Sequence, residues 1–186
     1  DFGKINTNWK FLIENFIEPY HVQFVHKTTT NQPLKDHYTF VDGKCYGSGV
    51  DVEQEDEKNY HALSVTSRYL SLFPNFIMGT YYPNQVGVYL NIPISPGITS
   101  QKRIIYTIDN KVMTKKEIQA TKDIWWSVHK EDHEMCERLQ EGRSSPASNN
   151  GGLLSPVWEK GVQAFQKLII NSIKRSFKMT RRVKNV

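Results

Sequence analysis

A block of short β-prone segments between residues 38 and 108 constrains the fold of this chain more than any other feature. The segments are rich in β-branched and aromatic residues and cover 62–72, 76–82, 86–94 and 102–108. Turn sequences punctuate the block at Asp42-Gly43, Pro83-Asn84 and Pro96-Gly97. Because the connections are short, we expect successive strands to pair as an antiparallel meander.

Helical patterns flank the strands on both sides. In the first 30 residues, apolar positions recur at mixed spacings of three and four, and Pro19 interrupts the helix. These positions are Phe11, Leu12, Phe16, Tyr20 and Phe24. A second helix opens at the capping box of Thr114 and Glu117 and runs to about Gln140, and a third begins near Ser155-Pro156. This order predicts an α+β fold in which long helices cover one antiparallel sheet.

The composition excludes several classes of protein. The 186 residues suit a single domain, 1–186, and 38% hydrophobic residues argue against disorder. No apolar run approaches the ~20 residues of a membrane span, and no signal peptide opens the chain. The two cysteines, Cys45 and Cys136, stand far apart and form no disulfide framework, so we expect a cytoplasmic protein.

The net charge of 24 − 19 = +5 comes from one end of the chain. The cations of the last 13 residues are Lys174, Arg175, Lys178, Arg181, Arg182 and Lys184. Without these six the balance is 18 − 19 = −1. A basic end of this kind is usually solvated, so we expect no nucleic-acid partner.

Glu18, His21 and His26 form the first candidate site. On a straight helix Glu18 and His21 would share a face. His21 and His26 are five positions apart and would diverge by roughly 140°. They can bind one ion only if the helix ends or bulges between them, and otherwise they are two separate surface or capping histidines.

Asp132 is the candidate for a third ligand. The predicted apolar stripe of the second helix runs through Ile124, Val128, Asp132, Met135 and Leu139. A buried carboxylate is costly unless it is paired, hydrogen-bonded or bound to a metal, and two histidines with one carboxylate form the ligand set of non-haem Fe(II) oxygenases. Two alternatives stay open: a salt bridge from Asp132 to an Arg or Lys, and a zinc site at His129 and His133, which have i,i+4 spacing.

Residues 8–26, NWKFLIENFIEPYHVQFVH, resemble the signature of the catalytic, C-terminal domain of Rieske non-haem iron oxygenase α subunits, the ring-hydroxylating oxygenases. The resemblance extends over the whole chain. Further matching positions are Phe73-Pro74-Asn75, Glu131-Asp132, Gln140, Gly142, Leu154-Ser155, Glu159 and Phe165. It implies a helix-grip fold, a curved antiparallel sheet covered by long helices.

The resemblance also implies a site and an assembly. Fe(II) would be bound by His21, His26 and Asp132, the last being the third ligand in the family pattern. Glu18 would be the electron-transfer bridge between His21 and a Rieske [2Fe-2S] cluster on a neighbouring subunit of a homotrimer, α3 or α3β3. Asn15 would belong to the catalytic pocket, and Phe16 would contact the substrate.

Two departures from the family pattern qualify this interpretation. Two isolated cysteines cannot hold a Rieske cluster, so we expect an N-terminal Rieske domain before Asp1, which is itself an implausible first residue. Many aromatic-ring dioxygenases have Asp where this chain has Glu18. Glu is more common in relatives resembling the α-only enzymes, some of which act on quaternary amines, so the resemblance argues less for an aromatic substrate.

The function expected is Fe(II)- and O2-dependent hydroxylation or dihydroxylation of a small organic substrate, aromatic or quaternary amine, with electrons from a reductase or ferredoxin. Such an enzyme could serve aromatic hydrocarbon catabolism. The rival interpretation is a metal-free helix-grip module that binds a hydrophobic ligand.

Overall fold

The computed structural model describes residues 1–30, 32–52, 66–82, 84–108 and 112–183, with side chains to 177. Within these ranges a seven-stranded antiparallel sheet has the order β1-β7-β6-β5-β4-β3-β2. The strands are β1 Gly3–Ile5, β2 His37–Asp42, β3 Cys45–Val50, β4 Ser67–Leu72, β5 Phe76–Tyr81, β6 Gln85–Ser95 and β7 Ile98–Thr107. Strands β2 to β7 therefore follow one another as a meander, as the short connections predicted.

The strand predictions hold with two differences. Gly43, with φ of 58°, lies in the turn between β2 and β3, where a left-handed backbone favours glycine. The predicted strand 62–72 is described only from residue 66, and Pro83 also lies outside the described residues. Strand β1 was not predicted. Its three residues are too few to show a period, and the strand is held by pairing with β7, where Gly3 faces Gln101.

Four helices accompany the sheet: α1 Trp9–Ile17, α2 Val22–Val25, α3 Lys115–Arg143 and α4 Lys160–Val183. The predicted capping box of α3 is present, with Thr114 and Glu117 each accepting a backbone N–H of the other. Helix α4 begins later than predicted. The hydroxyl of Ser155 accepts the N–H groups of Val157 and Trp158, which holds a turn ahead of the helix.

The main core lies between the sheet and helices α1 and α4. Its buried members are Ile13, Ile17, Tyr46, Ile77, Tyr89, Val162 and Phe165. A second cluster joins α3 to the sheet through Trp125 and Tyr81, whose ring centroids are 4.5 Å apart. Helices α1 and α3 are thus fixed on the same sheet by separate clusters, and a cavity remains between them.

The apolar stripe predicted for α3 is wrong at both ends. Ile124 and Leu139 are 37% and 43% exposed. The buried face runs instead through Trp125, Val128, His129 and Cys136. The large indole of Trp125 packs on the sheet and sets the rotation of the helix. Asp132 stays on the inner side, because its position is central in either stripe.

Tyr20 and Phe24, two apolar positions of the first predicted helix, are exposed rather than packed. Ile173 and Phe177 in the second half of α4 are exposed as well. The side chains of the basic end beyond residue 177 lie outside the described residues. None of the helices in the described part of the chain has the length and hydropathy of a membrane span.

Candidate metal centre

The segment after α1 sets the positions of the two histidines. Helix α1 ends at Ile17, and Pro19 follows. His21 then precedes the single turn of α2, and His26 follows it. The break between the helices removes the 140° divergence of a continuous helix, and the two imidazole ring centroids lie 5.2 Å apart.

Asp132 of α3 meets both imidazoles. Its Oδ1 lies 3.1 Å from Nε2 of His26 and 3.6 Å from Nε2 of His21. One possible ligand atom from each of the three residues lies within 4.8 Å of the other two. In the described ranges no other group of three or more His, Cys, Asp or Glu side chains is placed to hold a metal ion in this way. The structure therefore brings the three predicted residues together in a geometry that could hold a metal ion.

Each of the three side chains has a second partner. Nδ1 of His21 lies 2.6 Å from the carboxylate of Glu18, and Nδ1 of His26 lies 2.8 Å from that of Glu131. The amide of Asn15 donates to Oδ1 of Asp132 at 2.9 Å. Histidines that bind a metal through one ring nitrogen commonly donate the other N–H to a carboxylate. The donor set and its outer partners fit a bound metal ion.

The electrostatics of the cluster keep its carboxylate ionised. Burial alone would raise the pKa of Asp132, but His26 and His21 hold it well below its usual range. Burial lowers the pKa of His26, and Asp132 and Glu131 outweigh that effect and raise it to about 9. The alternative of a salt bridge from Asp132 to an Arg or Lys is wrong, since in the described structure its ion-pair partners are histidines.

The His129 and His133 pair has other partners. Nε2 of His129 is 2.9 Å from Nη1 of Arg103, and burial together with that guanidinium holds the pKa of His129 well below its ordinary value. His133 hydrogen-bonds Gln101 at 2.8 Å. Neither histidine joins a metal-binding group among the described residues.

A cavity of about 70 Å³ adjoins the three convergent side chains. Asn15 and Phe16 lie in its wall, together with Glu18. Four aromatic residues of the strands and α3 also line it: Tyr69, Tyr81, Tyr89 and Trp125. The sequence interpretation assigned no role to these residues: strand periodicity does not show which face of the sheet points inward, and the predicted stripe of α3 did not include Trp125.

Glu18 lies beside Nδ1 of His21, whereas Asp132 lies beside Nε2 of the same ring. The carboxylate of Glu18 also accepts the backbone N–H groups of Tyr20 and His21. The side chain of Glu18 is 13% exposed, so little of it is open to solvent, while the neighbouring Tyr20 is 48% exposed.

Known proteins resemble the chain along most of its length. Choline monooxygenase of Atriplex hortensis, named as chloroplastic, is 28% identical over 163 residues, which are 87% of this chain and 36% of that protein. Its counterpart in Spinacia oleracea is 25% identical over 174 residues, 91% of this chain and 39% of that protein. The chain thus spans somewhat more than a third of the length of these relatives.

Solved structures share the fold. One of them is a quaternary ammonium Rieske monooxygenase that was studied for carnitine oxidation and inter-subunit electron transfer. It has a TM-score of 0.70 at 17% identity, and the match covers 89% of this chain and 47% of that chain. Dicamba monooxygenase bound to 3,6-dichlorosalicylic acid has a TM-score of 0.60 at 14% identity, with 91% and 56% covered. The family model "Ring hydroxylating alpha subunit (catalytic domain)" matches residues 3–174. The chain therefore belongs to the ring-hydroxylating α subunit family, of whose catalytic domain it has both the sequence pattern and the fold.

Proposed function

We propose that this chain is the catalytic domain of a Rieske non-haem iron oxygenase, in which His21, His26 and Asp132 hold one Fe(II) ion. The observation that carries the proposal is the convergence of two imidazole nitrogens and a carboxylate oxygen within 4.8 Å beside a cavity. This donor set leaves open positions for O2 and substrate. Bound iron would supply the chemistry with O2.

The polypeptide would fix the ligands and shape the site. Glu18 and Glu131 accept from the Nδ1 atoms and so direct both Nε2 atoms inward. Asn15 orients the carboxylate of Asp132. Phe16, which packs edge-on against Tyr89 with centroids 4.9 Å apart, would form an apolar wall for the substrate and help to exclude water.

The proposed reaction is hydroxylation or dihydroxylation of a small organic substrate. Relatives named choline monooxygenase and a quaternary ammonium monooxygenase support a quaternary amine. The structure bound to a chlorinated salicylate supports an aromatic substrate. A role in aromatic hydrocarbon catabolism stays a prediction. Dihydroxylation of the substrate, as opposed to hydroxylation, also stays a prediction.

Electrons would come from a Rieske [2Fe-2S] cluster outside these residues, reduced by a reductase or ferredoxin. Cys45 on β3 and Cys136 on α3 are both free and lie on separate elements, so they do not form the ligand set of such a cluster. Glu18 would receive the electron from the cluster of a neighbouring subunit in an α3 or α3β3 assembly. The inter-subunit transfer described for a solved relative supports this arrangement. The cytoplasmic location stays a prediction, since the plant relatives are named as chloroplastic.

The test is iron content combined with turnover in the intact protein that carries this chain. Asp132→Ala should remain folded, bind little Fe(II) and form no product when reduced Rieske partner and O2 are supplied. Asp123→Ala, an exposed change on the same helix, is the matched control and should retain iron. Wild-type protein that binds no more Fe(II) than Asp132→Ala would favour the rival, a metal-free module for a hydrophobic ligand.

A further inference from the structure

His129 of α3 lines the cavity beside the proposed metal centre and is not one of the three proposed ligands. The residue is 4% exposed and packs against aromatic neighbours. Its ring centroid lies 4.4 Å from that of Phe2 and 5.2 Å from that of Tyr89. Both ring nitrogens of an imidazole are polar, so the partner of each nitrogen decides what a ligand in the cavity would meet.

Arg103 fixes which nitrogen of His129 carries the proton. Its Nη1 lies 2.9 Å from Nε2 of His129. A guanidinium can only donate hydrogen bonds, so Nε2 has to accept in this contact, and the proton of the neutral ring lies on Nδ1. Burial and the charge of Arg103 also hold the pKa of His129 well below its ordinary value, which keeps the ring neutral.

Arg103 is itself fixed in position. Its Nη1 donates to the Tyr89 hydroxyl at 2.6 Å, and its Cζ lies 3.3 Å from the ring centroid of Trp125. The guanidinium lines the neighbouring cavity, which contains Phe2, rather than the cavity of the proposed ligands. Arg103 therefore acts on the candidate catalytic cavity through His129 and not by contact with a ligand there.

Nδ1 of His129 is the ring nitrogen left for a ligand. In the described part of the chain it makes no hydrogen bond, and it is not one of the unpaired atoms that the interior seals from solvent. The hydroxyl of Tyr69 in the same wall bonds Gln32, and those of Tyr81 and Tyr89 bond each other. A ligand that displaces water from Nδ1–H without supplying an acceptor would lose binding free energy.

We propose that His129 is a further substrate-binding residue, which donates a hydrogen bond from Nδ1 to an oxygen atom of the substrate. The substrate class is then an organic molecule with an acceptor oxygen, such as a hydroxyl or carbonyl group. The inference rests on the proposed function, since it takes the cavity beside the three ligands as the substrate site. His129 lies about one helical turn from Asp132, so the bond would also orient the substrate towards the metal centre.

The test compares two matched pairs of probes in the intact protein: choline against ethyltrimethylammonium, and benzyl alcohol against toluene. In each pair the second compound lacks only the hydroxyl group. Anaerobic calorimetry measures Kd at pH 7 with Fe(II) supplied, and iron content is measured on the same samples. Wild type should bind the hydroxyl compound of at least one pair about 3- to 10-fold more tightly, the value of one neutral hydrogen bond.

Two variants of His129 separate hydrogen bonding from packing. His129→Asn has an amide N–H near the position of Nδ1, so it should keep the preference for the hydroxyl compound. His129→Gln has an amide oxygen that can accept from Arg103 near the position of Nε2, but no donor near that of Nδ1. It should lose the preference, with the two Kd values of a pair within about 2-fold. Lys130→Gln, an exposed change on the same helix, is the control and should bind like wild type.

The outcomes separate this inference from the proposed function. Iron binding without any preference for the hydroxyl compounds, or a preference that His129→Gln retains, would overturn the inference alone. An equal weakening of both members of a pair in His129→Asn and His129→Gln would show that His129 only packs the wall, and would overturn it as well. A preference that depends on His129 in a protein that holds no iron would instead overturn the oxygenase proposal and leave the binding residue standing.

Discussion

Glu131 provides a sharp test of the proposed metal centre, because sequence reasoning did not assign it any role there. Its carboxylate accepts from Nδ1 of His26 at 2.8 Å, from Thr29 Oγ1 at 2.7 Å and from Thr28 Oγ1 at 3.2 Å. The two threonine bonds fix the carboxylate, and the carboxylate fixes the imidazole. Replacing it should therefore weaken metal binding without removing a metal ligand.

The magnitude follows from the hydrogen bonds that each substitution removes. Removing an outer partner of a ligating histidine typically costs 10- to 100-fold in metal affinity, which is about 1.4–2.7 kcal/mol. Glu131→Ala removes the acceptor for Nδ1 and both threonine bonds, so we expect the upper half of that range. Glu131→Gln keeps an oxygen that can accept from Nδ1 and removes only the charge, so about 10-fold is expected.

The assay is anaerobic competition for Fe(II) between the intact protein and a chelator of known affinity. Glu134→Ala, an exposed change on the same helix, is the control and should bind Fe(II) like wild type. A folded Glu131→Ala variant with unchanged Fe(II) affinity would show that His26 is not held for metal binding by this bond, and the reasoning about the outer partners would be refuted.

Four other changes are predicted. Glu18→Gln keeps an oxygen that can accept from Nδ1 of His21, so it should lower Fe(II) affinity by no more than about 10-fold, leave iron content nearly intact and abolish coupled turnover, whereas complete loss of iron would make Glu18 a ligand. Burial raises the pKa of Glu14, so Glu14→Gln should raise Tm at neutral pH, and the gain should vanish below the ordinary pKa of 4.5, where Glu14 is protonated in both the folded and the unfolded state. Phe165→Ala, fully buried, should lower the free energy of unfolding by about 3–5 kcal/mol in denaturant titrations. Thr114→Ala removes the capping box of α3 and should cost about 1 kcal/mol by the same measurement.

The features that the sequence predicts well are those determined by local chemistry. Pro19 cannot continue a helix, so the break that brings His21 and His26 together follows from one residue. The capping box of Thr114 fixes the start of α3 for the same reason. Asp132, at the centre of an apolar stripe, had to face the interior in any rotation of that helix that buries Val128.

The features that the sequence did not predict depend on tertiary packing. Arg103 stands in β7 between Lys102 and Ile104, where charged and apolar residues occur on both faces of the strand. Ile104 is 41% exposed while the guanidinium of Arg103 lies under Trp125, the reverse of what hydrophobicity predicts. Pairing of Arg103 with Tyr89 across the sheet and its stacking on Trp125 of α3 decide the face, and both contacts join residues that are distant in sequence.

The charge balance of the site favours a cation over a metal-free ligand. Three carboxylates, those of Glu18, Glu131 and Asp132, contact two imidazoles in a largely enclosed cluster. Without a metal, His26 has to carry a proton to offset part of this charge, as its raised pKa shows. A module that binds a hydrophobic ligand has no use for such a cluster. Replacing a buried ion pair by well-packed apolar residues of similar volume often leaves a protein equally stable or more stable. A divalent cation would account for all three carboxylates, because it would replace that proton and could be bound by both Nε2 atoms and Asp132 together.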